Sequence, residues 1–67
     1  MDPTERLKEI VGGAGEVKAT YGGFEITVSH PTSFPWYKVI DQLIKIGHQI
    51  WIDREEGKIE ITTKPKV

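Results

Sequence analysis

The chain has 67 residues, 7.6 kDa, with nine Lys+Arg against ten Asp+Glu, and no Cys. That length holds one small domain, in which about 60% of the extended chain's surface can be buried. A formal charge of −1 lacks the positive excess that phosphate binding needs, and without Cys there is neither a disulfide framework nor a thiolate metal site.

Leu, Ile, Val and Phe together make up 18 of 67 residues, too many for a disordered chain. No apolar run approaches the roughly 18 residues of a membrane span. The start, Met1-Asp2-Pro3-Thr4-Glu5, is acidic and polar and does not read as a signal peptide, so a cytoplasmic location is expected. There is no Asn, and Ile outnumbers Leu nine to two. Loss of thermolabile residues is a habit of thermostable proteins and equally of engineered ones, which favour β-branched strands.

In chain order, Asp2-Pro3-Thr4-Glu5 predicts a helix start. Asp2 serves as cap, Pro3 sits at the first helical position, and Glu5 reaches back to complete a capping box. Leu7, Ile10 and Val11 fall on one stripe, and Gly12-Gly13 stops the helix. Residues 16–29 read as a β-hairpin around Gly22-Gly23, whose freedom at positive φ suits a type I′ turn. That turn pairs Tyr21 with Phe24, Ala19 with Ile26 and Val17 with Val28 on an apolar face. The polar face pairs Thr20 with Glu25, Lys18 with Thr27 and Glu16 with Ser29.

His30-Pro31-Thr32-Ser33 reads as a loop. A second helix is expected to start near Phe34 and Pro35, capped by Thr32 or Ser33, and to run to Ile46 with Gly47 beyond its end. Trp36, Ile40, Leu43 and Ile44 form its core stripe, flanked by Val39 and Ile46. Lys38, Asp41, Gln42 and Lys45 lie on the other side. Residues 49–63 predict a second hairpin, with Ile50, Ile52, Ile59 and Ile61 facing inward and Arg54-Glu55-Glu56-Gly57 as a type I turn. Residues 64–67 are expected to fray, because Pro65 stops further pairing.

The resulting α-β-β-α-β-β order predicts a single α+β domain over residues 1–67. Its architecture is a two-layer sandwich, a four-stranded mostly antiparallel sheet with two helices on one face and the other face open. The order resembles that of the LAGLIDADG homing endonucleases, whose sheet lies in a DNA groove. The first helix here, Leu7-Lys8-Glu9-Ile10-Val11-Gly12-Gly13, lacks that motif's terminal carboxylate, and the chain is short and not basic, so membership does not follow.

Little in the sequence points to catalysis. His30 and His48 have no metal-binding partner one helical turn away, and Glu55-Glu56 sit at a hairpin tip where both are solvated. Ser33 reads as a helix cap, and adjacent Ser29 and His30 would point to opposite faces of a strand. Gly12-Gly13-Ala14-Gly15 follows a helix and precedes a strand, the reverse of a phosphate loop. No catalytic residue, cofactor or metal is therefore expected.

The candidates are exposed aromatics. Phe34 and Tyr37, if helical, flank Asp41 on the outer side of the second helix. With Lys38, Asp41 and Lys45 they make a candidate partner-binding surface, unless Phe34 folds back onto the core. Trp51 is a second candidate, since its neighbours Ile50 and Ile52 face inward and it cannot. The expectation is a non-catalytic protein-binding module, natural or an engineered binder on a thermostable scaffold, monomeric or weakly dimeric. A stability-selected fold with no functional site is one alternative. Single-stranded nucleic-acid binding around Trp51 is another, disfavoured by Glu16, Glu25, Asp53 and Glu60 on the same face.

Overall fold

A computed structural model describes residues 3–66. Helix α1 (Pro3–Val11) runs into a short 3-10 turn (Gly12–Ala14). Strands β1 (Gly15–Thr20) and β2 (Gly23–Val28), helix α2 (Trp36–Lys45), and strands β3 (His48–Glu55) and β4 (Lys58–Pro65) follow. The Asp2 cap lies outside the described residues. The sheet has the order β1-β2-β4-β3 with every neighbour antiparallel. β2 and β3 therefore run the same way with β4 inserted between them, and α2 makes the crossover.

Both helices cover one face of this two-layer α+β sandwich. Leu7 and Val11 of α1 and Val39 and Leu43 of α2 share a buried cluster with Phe24, Ile26, Val28 and Ile61, which alternate along the strands. α1 packs over β1 and α2 over β3, side by side. Among the described residues no helix is long and apolar enough to cross a membrane.

The first hairpin departs from the expected register. Ala19 pairs with Phe24, Val17 with Ile26 and Gly15 with Val28, so the connection is Tyr21-Gly22 and Tyr21 is fully exposed at its tip. Only Gly22 has positive φ (82°), whereas a type I′ turn would need it at both central positions. Gly23 is required inside the strand instead, because a Cβ there would fall on the carbonyl oxygen of Thr63. The shift keeps the apolar face intact and sets Lys18 opposite Glu25, a favourable cross-strand pair.

The second hairpin is tighter than expected. β3 continues to Glu55, and the two connecting residues, Glu56 (φ 49°) and Gly57 (φ 79°), both lie in the left-handed region that a type I′ turn demands. Residues 64 and 65 do not fray. Pro65 ends β4 opposite His48, and the Lys66 N–H bonds the Gly47 carbonyl at 2.8 Å. β2 pairs with β4 only as far as Thr63, so the missing Pro65 N–H deprives no ladder of a bond.

α2 begins two residues later than expected. Pro35 precedes it without a side-chain cap, and Gly47 (φ 78°) follows its end, donating to the Ile44 carbonyl at 3.0 Å. Val39 and Leu43 are its fully buried residues, with Trp36 and Ile46 packed beside the core. Ile44, expected on the core stripe, is 62% exposed.

Candidate protein-binding surface

Phe34 does not lie on the outer side of α2. It precedes the helix and is only 4% exposed. Its ring occupies space left by the missing side chain of Gly15, beside Val11, and a Cβ on Gly15 would stand 3.3 Å from both. It also meets the Trp36 ring, tilted at 60° with centroids 4.7 Å apart. The Trp36 indole N–H donates to the Pro31 carbonyl at 2.9 Å and pins the loop ahead of the helix. Phe34 is thus a core residue, removed from the candidate surface by the loop geometry that Pro31 and Pro35 impose.

Tyr37 does face outward, at 82% exposure, one residue into a helix whose other side is anchored in the core. Asp41 lies one turn on, and Lys45 one turn beyond that. The Lys45 ammonium meets the Asp41 carboxylate at 3.1 Å in the favourable acid-before-base order, worth about 0.3–0.5 kcal/mol at most between such exposed groups. Across a shallow groove between the helices stand Arg6 and Glu9 of α1, paired at 3.7 Å. Ile10, Pro35, Lys38 and Gln42 complete the groove. With Asp41 and Glu9 each paired, Lys38 is the groove's cation with no ion-pair partner among the described residues.

The open sheet face carries its charges in rows. Glu16, Thr27, Glu60 and Asp53 lie in register across the four strands, so three carboxylates share one row. The next row holds Lys18, Glu25, Thr62 and Trp51, the last 47% exposed on the outermost strand. Among the described residues no group of three or more His, Asp or Glu side chains stands close enough to hold a metal ion.

No known protein family, curated protein or solved structure matches this chain. What its surfaces can do therefore rests on their own chemistry. The helix groove offers an aromatic ring, a phenolic hydroxyl and charges carried on two packed helices. The sequence reading placed Tyr37, Lys38, Asp41 and Lys45 together, and they lie together. It missed Arg6 and Glu9, whose positions opposite Asp41 follow only from how the helices pack. It also missed Ile44, which the apolar pattern assigns to the core.

Among the described residues, buried polar chemistry is confined to one place. Thr63 is fully buried on the helix-facing side of β4, and its hydroxyl shares a 3.0 Å hydrogen bond with Nδ1 of His48. The His48 ring also stacks on Phe24, with centroids 5.5 Å apart. This pair closes the sheet where β3 begins and serves the core.

Proposed function

We propose that this chain is a non-catalytic protein-binding module whose contact surface is the groove between α1 and α2, with Tyr37 as its anchor. The observation that carries the reading is the 82% exposure of a tyrosine on a helix whose buried side is locked by Val39 and Leu43. The helix beneath the ring is already ordered, so a partner covering it gains contact area without first ordering backbone. Lys38 and Lys45 border it, and the unpaired Lys38 favours a partner with an acidic contact region.

Affinity capture with the intact chain beside a Tyr37→Ala variant tests this. A protein retained by the first and lost from the second, at unchanged melting temperature, supports the groove as the contact surface. Identical sets of retained proteins would refute it. The row of Glu16, Glu60 and Asp53 beside Trp51 repels a phosphate backbone and argues against nucleic acid on the sheet face.

A further inference from the structure

The large apolar side chains left exposed among the described residues are Tyr21, Tyr37, Ile44, Trp51 and Ile52, and the last two stand on the edge strand β3. β3 is the outermost strand and bonds only to β4, so one row of its backbone N–H and C=O groups is free along eight residues. Such an edge is usually blunted by Pro, charged side chains or a bulge. Residues 48–52 carry no Pro, Asp, Glu, Lys or Arg and pair with β4 without interruption, and the charges Asp53, Arg54 and Glu55 are confined to the hairpin end.

Ile52 sharpens the point. It lies on the helix-facing side, in register with the fully buried Ile61, and is nevertheless 56% exposed. Ile44, on the helix that packs over β3, is 62% exposed as well. The opposite edge strand, β1, is shorter and leaves no large apolar side chain exposed.

We propose that a second copy of this chain pairs with β3, antiparallel, about a two-fold axis through Trp51, joining two sheets into one of eight strands. The strand's complementarity to its own copy selects this occupant. For both helix layers to stay on one side, the axis must bring like faces together. Centred on Trp51, the two indoles meet on the open face, and each Ile50 lies opposite the partner's Ile52 on the helix face. Each Gln49 amide lies opposite the partner's Asp53 carboxylate, which within its own chain stands in register with Glu60.

Other centres are poorer. An axis at Asp53 sets two carboxylates against each other. One at Ile52 puts Trp51 against the partner's Asp53 and Ile50 against the partner's Arg54. One at Ile50 puts His48 against the partner's Ile52. The Trp51 centre alone matches apolar with apolar on both faces, with His48 opposite the partner's Arg54 as its end pairs. Residues 48–54 of each copy then zip over about 20 Å.

Sedimentation equilibrium from about 10 μM to about 1 mM reads the association, expected with a dissociation constant on the order of 100 μM. Ile52→Lys places a charge on the edge and should weaken it at least about tenfold while circular dichroism is unchanged. Tyr37→Ala should dimerise like the unmodified chain, which separates this surface from the α1–α2 groove.

Because the chain has no Cys, a single introduced thiol reports only contacts between copies. Trp51→Cys brings two thiols across the axis, where opposed Cα atoms stand about 4.5–5.5 Å apart, within disulfide reach. The oxidised dimer should form at least about tenfold faster than from Tyr21→Cys at the exposed turn. A monomer at about 1 mM, a dimer indifferent to Ile52→Lys, or equal cross-linking at the two sites would each overturn the proposal. So would addition of an unrelated extended peptide to β3 of a chain that stays monomeric.

Discussion

Replacing His48 with Phe tests how the buried hydroxyl of Thr63 is held. The substituted ring keeps its place against Phe24, where the centroids now stand 5.5 Å apart, but removes Nδ1 from its 3.0 Å bond to Thr63. Thr63 is fully buried, so water cannot replace the lost partner. An unsatisfied buried hydroxyl costs about 1–3 kcal/mol. For a domain of this size each kcal/mol lowers the melting temperature by about 4–8 °C. Thr63→Val alone removes the hydroxyl as well as its need for a partner and should cost less than about 1 kcal/mol, since the half-buried His48 can turn to solvent. The double variant should then recover most of the loss, giving a coupling energy of about 1–2 kcal/mol in a denaturant-unfolding cycle. Simple additivity of the two single changes would show that Thr63 does not depend on His48.

Three further outcomes follow from particular contacts. Phe34→Ala should lower unfolding free energy by about 3–5 kcal/mol, whereas Tyr37→Ala should move it by no more than about 0.5 kcal/mol. Equal effects in urea titrations would contradict the placement of one ring inside and the other outside. Glu56→Asn should raise stability by about 0.5–1 kcal/mol, because Asn tolerates the positive φ that Glu56 adopts. A lowered denaturation midpoint would rule out a strained turn. Gly23→Ala should cost about 2 kcal/mol or more, as the new methyl group meets the β4 backbone at Thr63, and an unchanged thermal midpoint would count against that close approach.

Much of the fold was legible in the residue periodicities. Leu7 and Val11, Phe24 and Ile26, and Leu43 and Ile61 all lie inside, as the helical and strand spacings imply. What stayed hidden depended on contacts far apart in sequence. Gly22-Gly23 satisfies two hairpin registers locally, and the Thr63 carbonyl against Gly23 decides between them. Phe34 reads as a helix residue until the loop pinned by Trp36 and Pro31 lifts it out of the helix and sets it over Gly15. Ile44 looks like core in a helical projection, but α2 lies beside the margin of the sheet. The candidate surface was legible where single residues decide, at Tyr37 and its charged neighbours. It was not legible where two helices must be docked to bring Arg6 and Glu9 opposite them.

β4, the last of the four strands in chain order, is one of the two central ones. During synthesis the N-terminal hairpin and α2 must wait for residues 58–65 before their apolar sides can be enclosed. Until then the chain holds one incomplete hairpin, and the β2 edge that β4 will occupy stands open. The four-stranded sheet can therefore close only once its last strand in chain order is in place. Truncation before residue 58 would remove the strand that joins β2 to β3 rather than trim a margin.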